Sequence, residues 1–282
     1  MSAPQLLPSL SETITRLRAA GCVYAEEEAA LLLAAAPTPA ELTTAVDRRI
    51  AGFPLEHILG WAEFSGLRII VDPGVFVPRR RTEILVTEAA PLLRKASLLT
   101  TASLLRNGSD DGAPGTVVVD LCCGTGAVGT ALAAILKGIE LHAADIDPDA
   151  VECACRNILP AGGEVHEGDL YDALPASLRG CVNVLVVNAP YVPTASIWTM
   201  PQEARLHEPR ISLDGGLDGL DIQRRVAAGA PEWLAPGGHL LIETSERQAA
   251  QTADIVAGSG LAARILSSEE LDATVVIGTA AA

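Results

Sequence analysis

Short apolar runs of strand length alternate with stretches of helical spacing along the second half of the chain. The pattern predicts strands at 117–121, 140–144, 164–167, 182–187, 239–243 and 274–277. It predicts helices at 127–136 and after Asp147, which precedes Pro148 as an N-cap precedes the first residue of a helix. This alternation predicts an α/β fold, in which a mostly parallel sheet is covered by helices on both faces.

The first fifty residues follow a different, helical pattern. Ser9 with Glu12 and Thr38 with Glu41 are capping boxes, which predict the first turns of two short amphipathic helices. An Ala- and Leu-rich helix is predicted between them, at 25–35. A bundle of this size buries too little apolar surface to be stable alone, so we expect it to dock on a larger domain.

The period changes again in the segment that follows. Short β-type runs are predicted at 53–78, the clearest at 67–71 with its turn at 72–74. A helix is predicted at 82–93. The Ser-, Thr- and Gly-containing stretch 97–115 has no sustained periodicity, and its latter part, 107–115, is predicted as a mobile loop. We therefore expect a helical N-terminal domain at 1–52, a β-hairpin linker at 53–80 and an α/β domain at 81–282.

Composition narrows the classes of partner. The 282 residues carry a formal net charge of −15, which repels a phosphate backbone, so extended nucleic acid is not expected as a partner. No uncharged apolar run reaches roughly 18 residues, so we expect no membrane contact and a cytoplasmic location. The six cysteines lack a paired C-x-x-C pattern, so reduced thiols and no metal site are expected.

One basic cluster, Arg79-Arg80-Arg81, has two interpretations. It contacts a phosphate or a carboxylate, or it is a solvated turn.

A glycine-containing loop joins the first predicted strand of the sheet to the helix after it. Cys122-Cys123-Gly124-Thr125-Gly126 has the strand–loop–helix context of a nucleotide site, where glycines let the backbone approach a ligand closely. The match to G-x-G-x-x-G, completed by Gly129, is a weak signal for a dinucleotide by itself. Asp120, which precedes the loop, would repel a pyrophosphate but would attract the ammonium group of S-adenosylmethionine.

Two further acidic residues follow the next predicted strands. Asp145 lies about 20 residues after the loop, where nucleotide sites place a carboxylate on ribose hydroxyls. Asp169-Leu170 follows the third strand and would offer an acceptor and an apolar side chain to an adenine. Each has a simpler interpretation, since Asp145 also suits a strand end and Asp169 a helix cap. Their order in one series of strands and helices favours a nucleoside site.

The tetrapeptide Asn188-Ala189-Pro190-Tyr191 follows the fourth predicted strand. The side-chain oxygen of Asn188 and the carbonyl of Ala189 can accept N–H groups, Pro190 stiffens the turn, and Tyr191 can stack on a flat group. Alone, the tetrapeptide is typical of a Pro-bearing turn at a strand end. Beside a nucleoside site it favours a clamp for a planar nitrogen that receives a methyl group.

Residues 54–250 resemble the HemK/PrmC family of protein-glutamine amide-nitrogen methyltransferases. The matching stretches are PLEHILGWAEFSGLRIIV, VFVPRRRTEILV, DLCCGTGAVG, AADIDPDAV, GDLYDAL, NAPYVP, EPRISLDGGLDGLDIQRRV and LAPGGHLLIETSERQ. The resemblance implies a class I, Rossmann-like methyltransferase fold with a seven-stranded, mostly parallel sheet. It also implies S-adenosyl-L-methionine as cofactor, and as acceptor a glutamine of a peptide-chain release factor or a ribosomal protein.

The resemblance also implies roles for individual residues. The residues implied at the cofactor are Asp120, Cys122, Cys123, Gly124, Thr125, Gly126, Asp145, Ile146, Asp169, Leu170 and Asn188. The residues implied at the glutamine, in a catalytic role, are Asn188, Ala189, Pro190 and Tyr191.

Two departures from the family pattern place the chain on a related branch. Ala189 replaces the first proline of the family's N-P-P-Y; it keeps the carbonyl but adds backbone freedom, so the clamp should be less pre-organised. The family's P-R-P-D-T-E becomes Pro-Arg-Arg-Arg-Thr-Glu at 78–83, which exchanges a proline and an acid for two bases.

Three other functions remain open at this stage. Adenine amino-group methyltransferases use the same type of tetrapeptide, but the charge of −15 argues against a nucleic-acid substrate. An N-methyltransferase of a small molecule or natural product would leave no further sequence signature. A non-catalytic, cofactor-binding regulator would have no physical need of the clamp at Asn188.

Overall fold

The computed structural model of the chain describes residues 9–107 and 115–282, and the side chains of all of these except 99–107. Four helices lie at the N-terminal end: α1 (Leu10–Ala19), α2 (Ala25–Ala35), α3 (Pro39–Ile50) and α4 (Leu55–Leu59). The predicted capping box is present, because Ser9 accepts from the N–H of Glu12 and Glu12 accepts from the N–H of Ser9. Leu17, Leu32 and Leu42 form the buried centre of this bundle.

An antiparallel hairpin follows, formed by β1 (Trp61–Phe64) and β2 (Leu67–Ile70). Its turn is Ser65-Gly66, both with positive φ, and therefore of the primed type that suits hairpins. The predicted turn at 72–74 is also present, with the Val75 N–H donating to the carbonyl of Asp72, and it leads out of the hairpin. Helix α4 was missed, because its five residues are too few to show a helical period.

The next helix, α5 (Glu83–Asn107), is much longer than predicted. It runs through Pro91 to Asn107, so the predicted end at residue 93 was wrong. The Ser and Thr content of residues 97–107 hid the helical period, yet between Pro91 and Gly108 the chain has neither proline nor glycine to end the helix. The predicted mobile part at 108–114 lies outside the described residues.

The remaining chain forms the predicted α/β fold. Its elements are β3 (Thr116–Leu121), α6 (Ala127–Ile135), β4 (Ile139–Asp145), α7 (Pro148–Ile158), β5 (Glu164–Glu167), β6 (Val182–Val187), α8 (Gln202–His207), α9 (Asp221–Trp233), β7 (Leu234–Thr244), α10 (Ala249–Gly258), β8 (Ala262–Ser268) and β9 (Ala273–Thr279). The seven strands are ordered β5-β4-β3-β6-β7-β9-β8, with the first five parallel and the last two antiparallel to their neighbours. The seven-stranded, mostly parallel sheet is thereby confirmed.

Both faces of the sheet are buried, as parallel strands require. Along β3, Val118 packs into the layer that contains α5 and α6, while Val117 and Val119 pack into the layer that contains α9. None of the helices in the described ranges is long and apolar enough to cross a membrane. The domain boundaries at 52 and 80 and the location in the cell stay predictions.

Candidate active site

A cavity of about 680 Å³ opens at the carboxyl ends of the central strands. From β3 the chain order continues to β4 on one side and to β6 on the other, so this is the point where the strand order reverses. Open α/β sheets bind ligands at such a point because loops leaving neighbouring strands diverge there. The loops after β3, β4, β5 and β6 all contribute to the cavity wall.

The loop after β3 is tightly turned. Cys122, Gly124 and Gly126 have positive φ, and the Cys123 N–H donates to the carbonyl of Ala144 on the neighbouring strand. Cys122, Cys123, Gly124 and Thr125 line the cavity. Gly126 is not among the lining residues, and a Cβ there would lie 2.6 Å from Cγ1 of Ile158. Glycine at this position is therefore required by the packing of α6 against α7, and its predicted role at the cofactor stays a prediction.

Two carboxylates, one buried and one half-buried, line the same side of the cavity, and backbone N–H groups hold both of them. Asp120 accepts from Gly129 at 2.8 Å, while the two oxygens of Asp145 accept from Gly124 at 2.8 Å and from Asp147 at 3.0 Å. Burial raises the pKa of Asp120 to about 7, against the lowering effect of the Gly129 N–H. Burial also raises the pKa of Asp145. A cationic ligand would stabilise both carboxylates in their ionised form.

One residue after β4 and two residues after β5 complete this side of the cavity. Ile146, Asp169 and Leu170 all line the cavity, and Leu170 has a φ of 51°, which turns the chain sharply after Asp169. Asp169 accepts from Arg225 at 2.7 Å, a contact that the sequence pattern did not suggest. We call the cavity wall formed by Asp120, Cys122 to Thr125, Asp145, Ile146, Asp169 and Leu170 the cofactor half.

The tetrapeptide after β6 forms the opposite wall. Asn188, Ala189, Pro190 and Tyr191 all line the cavity. The side-chain N–H of Asn188 donates to the hydroxyl of Thr82 at 3.2 Å, which leaves the amide oxygen as an acceptor. Among the described residues, none donates a hydrogen bond to the Ala189 carbonyl.

The tetrapeptide is fixed from behind by the loop 213–219. Val192 N–H donates to Leu213 at 3.0 Å, and the Tyr191 carbonyl accepts from the Gln248 side chain at 3.1 Å. Gly219 lies so close that a Cβ there would be 2.3 Å from the Tyr191 carbonyl oxygen. This explains why glycines recur in the stretch LDGGLDG: the loop backbone must approach the tetrapeptide without side chains between them.

Two residues behind Asn188 and Tyr191 were not predicted as site residues. Thr82, just before α5, lies close enough to Glu243 near the end of β7 to lower the pKa of that carboxyl, and the Tyr191 hydroxyl donates to the same carboxylate at 3.4 Å. Glu243 is 2% exposed, and its second oxygen has no partner among the described residues. Burial raises its pKa. We call Thr82, Asn188 to Tyr191 and Glu243 the acceptor half.

The three arginines of the basic cluster, residues 79–81, lie in different environments. Arg79 forms an ion pair with the buried carboxylate of Glu208, whereas Arg80 is exposed. A contact of the cluster with a phosphate or carboxylate of a partner stays a prediction. Arg81 is exposed and lines the cavity, close enough to lower the pKa of Tyr191, although burial raises that pKa overall, to about 12. The cavity therefore has a positive charge at the edge of the acceptor half.

Comparison with known proteins identifies the family. The Methyltransferase small domain model matches residues 98–205. A release factor glutamine methyltransferase of Geobacter sulfurreducens is 37% identical over 206 residues, 72% of this chain and 65% of that protein. A protein of the same name from Moorella thermoacetica is 32% identical over 274 residues, 90% of each chain. This chain belongs to the HemK/PrmC family.

A HemK/PrmC relationship does not fix one acceptor. The 4-amino-L-phenylalanine/4-methylamino-L-phenylalanine methyltransferase of Streptomyces pristinaespiralis is 32% identical over 275 residues, 92% of this chain and 89% of that protein. Among solved structures, the 16S rRNA N2 G1207 methyltransferase of T. thermophilus, in complex with AdoMet and guanosine, has a TM-score of 0.52 at 17% identity. The match covers 78% of this chain and 49% of the other chain, and it shows a shared fold alone.

Membership of the HemK/PrmC family makes this protein an S-adenosylmethionine-dependent methyltransferase. The cavity fits that cofactor, because the carboxylates of the buried Asp120 and the half-buried Asp145 suit a ligand with positive charge and hydroxyl groups. When bound, S-adenosylmethionine supplies an electrophilic methyl group on a sulfonium.

Proposed function

We propose that this enzyme methylates the side-chain amide nitrogen of a glutamine in a protein, either a peptide-chain release factor or a ribosomal protein. The observation that carries the proposal is the orientation of Asn188, whose N–H is engaged by Thr82 so that its oxygen is left as an acceptor. With the Ala189 carbonyl it offers two acceptors for the two N–H groups of a primary amide. The release factor glutamine methyltransferases among the relatives support the same acceptor.

The cofactor half has a separate role in the proposal. Asp145 would accept the ribose hydroxyls, Asp120 would stabilise the ammonium group, and Asp169 with Leu170 and Ile146 would surround the adenine. The loop from Cys122 to Gly126 would bring backbone close to the cofactor. These assignments rest on the shared cavity wall and on the chemistry of each group.

Catalysis in this proposal is mainly positioning. An amide nitrogen is a poor nucleophile, and the clamp of Asn188 and Ala189 would hold it in line with the methyl group while apolar walls exclude water. Good orientation of two reactants supplies up to about 7–11 kcal/mol, so no strong base is required. The proton that the nitrogen loses stays hydrogen-bonded to one of the two acceptors until it leaves for solvent. Tyr191, with its pKa raised to about 12, stays neutral and presents its ring to the flat amide.

A second candidate is an aromatic amine of a small amino acid. The Streptomyces pristinaespiralis relative covers nearly the whole chain, and its name gives such an acceptor. In this chain Arg81 lines the cavity beside Tyr191, where it would pair with the carboxylate of a free amino acid. The same clamp would hold an aryl amine, because that group is also planar and carries two N–H groups.

One methyl-transfer experiment tests both candidates. The purified enzyme is incubated with radiolabelled S-adenosylmethionine and, separately, with unmodified release factors and ribosomal proteins from its own genome and with 4-amino-L-phenylalanine. Mass spectrometry then locates the methyl group. A methyl on the glutamine of the Gly-Gly-Gln loop or on a glutamine of a ribosomal protein, lost in Asn188→Ala, supports the proposal. Methylation of the aryl amine alone overturns it in favour of the second candidate, and no transfer to either, with cofactor binding intact by calorimetry, overturns both.

A further inference from the structure

A cluster of histidine and glutamate lies away from the cavity, on one face of the strand pair β4–β5. His142 is directly opposite Glu164 in the parallel register, and His166 is two residues further along β5. Residues opposite each other, and residues two apart on one strand, point to the same face of a sheet. The backbone register alone therefore brings three metal-ligating side chains together, whatever their rotamers.

The ligand atoms are spaced for one cation. His142 Nδ1 lies 3.0 Å from His166 Nε2 and 3.7 Å from an oxygen of Glu164, and that oxygen lies 3.9 Å from His166 Nε2. A point in the plane of these three atoms is about 2.1 Å from each of them, which matches zinc–imidazole and zinc–carboxylate bond lengths. In the part of the chain that the structure describes, no other three His, Cys, Asp or Glu side chains meet in this way.

A fourth residue orients the first ligand. Glu140 Oε1 lies 3.2 Å from Nε2 of His142, on the side of the ring that faces away from the cluster. If Nε2 carries the proton, Nδ1 has its lone pair directed at the cluster, as metal-bound histidines usually do when a carboxylate accepts from their other nitrogen. The His142 ring is nearly buried, with its side chain 6% exposed, whereas Glu164 is 68% exposed and free to adjust its oxygen.

We propose that His142, Glu164 and His166 form a zinc site in which Glu140 orients His142 and water occupies the remaining position. The donor set of two imidazoles and one carboxylate favours a late first-row divalent ion. Zn²⁺ reaches its usual tetrahedral arrangement, with water as the fourth ligand, when the exposed Glu164 side chain moves its oxygen closer to the two imidazole nitrogens. The expectation of no metal site was drawn from cysteine spacing, and this cluster has no cysteine.

The site would stabilise the edge of the sheet. β5 is a four-residue strand at the edge of the sheet and pairs only with β4. Asp145 ends β4, and Asp169 lies two residues after β5. A metal bound between the two strands would hold their ends at a fixed distance, and with them two lining residues of the cofactor half. The inference does not depend on which acceptor the enzyme methylates.

The test uses untagged, chelator-treated full-length protein and Zn²⁺ alone. Calorimetry should give one Zn²⁺ per chain with a dissociation constant of about 10 µM or lower. At a free zinc concentration about 100 times that constant, the melting temperature should rise by roughly 5–10 °C. X-ray absorption at the zinc edge should show nitrogen and oxygen neighbours with two imidazoles.

Variants separate this site from others. Glu164→Gln, at an exposed position, and His166→Gln should each weaken zinc binding at least about tenfold and reduce the thermal shift. His239→Asn is the matched control: His239 is also a strand histidine, but it contacts Thr279 and lies on β7, so zinc binding should not change. Sulfur neighbours in the absorption spectrum, unchanged affinity in both variants, or binding weaker than about 100 µM would overturn the proposal.

Discussion

The two halves of the cavity are held by different kinds of contact. In the cofactor half, backbone N–H groups in α6 and in the loops after β3 and β4 hold the carboxylates of Asp120 and Asp145. In the acceptor half, side chains from distant segments contact the tetrapeptide: Asn188 donates to Thr82, which precedes the sheet, and Tyr191 donates to Glu243 near the end of β7. The geometry of the cofactor half therefore depends mainly on the backbone around the loops after β3 and β4. The geometry of the acceptor half depends on side chains that meet only when distant segments of the chain have packed together.

This difference predicts that the two halves can be broken separately. A backbone donor survives most substitutions, so changes in the cofactor half should mainly remove the direct contact of the substituted side chain. A chain of side-chain hydrogen bonds fails at any member, so a residue that never touches the acceptor can still disturb it.

The largest effect is expected for Asn188→Ala. Loss of the amide oxygen removes one of the two acceptors that position the nitrogen, so turnover should fall by about 10²-fold or more. Cofactor affinity, measured by calorimetry, should stay within about tenfold, because the carboxylates of the cofactor half are untouched. Turnover that persists at the wild-type level would contradict the clamp.

A change in the cofactor half should give the reverse pattern. Asp145→Ala removes a half-buried acceptor for the ribose hydroxyls. Hydrogen bonds to a charged group are worth about 1.5–3 kcal/mol, so the dissociation constant for S-adenosylmethionine should rise about 10- to 100-fold. Turnover at saturating cofactor should change less than in Asn188→Ala. Unchanged affinity would remove Asp145 from the cofactor site.

A smaller effect is expected one step behind the acceptor. Thr82→Val keeps the shape of the side chain but removes the hydroxyl that accepts from Asn188. The amide of Asn188 can then turn, and turnover should fall about tenfold, the value of one net hydrogen bond. Thr82→Ser keeps the hydroxyl and should restore most of the rate. Equal losses in both variants would point to packing rather than to hydrogen bonding.

The smallest effect is a pH dependence of cofactor affinity. Burial raises the pKa of Asp120 to about 7, so this carboxyl is largely protonated below that pH and ionised above it. A cationic cofactor favours the ionised form, so its dissociation constant should fall as the pH rises from about 5.5 to about 7.5, by at most about tenfold per pH unit. Asp120→Asn, measured by the same titration, should flatten the profile. A wild-type profile that is already flat would exclude this role for Asp120.

The sequence alone predicted a large part of the fold and the cofactor half. The strands at 164–167 and 182–187 have the predicted bounds, and the caps at Ser9, Thr38 and Asp147 open their helices. All of the predicted site residues except Gly126 line one cavity. These features depend on local chemistry, namely apolar periodicity, capping and tight turns, and the order of the strands then brings successive strand ends together.

Only the tertiary structure decided the rest. The continuation of α5 to Asn107 was hidden by its Ser and Thr residues, which suit both a loop and a helix that packs on a sheet. The contacts of Thr82 and Glu243 with the tetrapeptide, and the cluster of His142 with His166, join residues whose separation along the chain carries no signal. Such contacts arise from strand order and register, and these are set by burial of the whole sheet rather than by any short stretch of sequence.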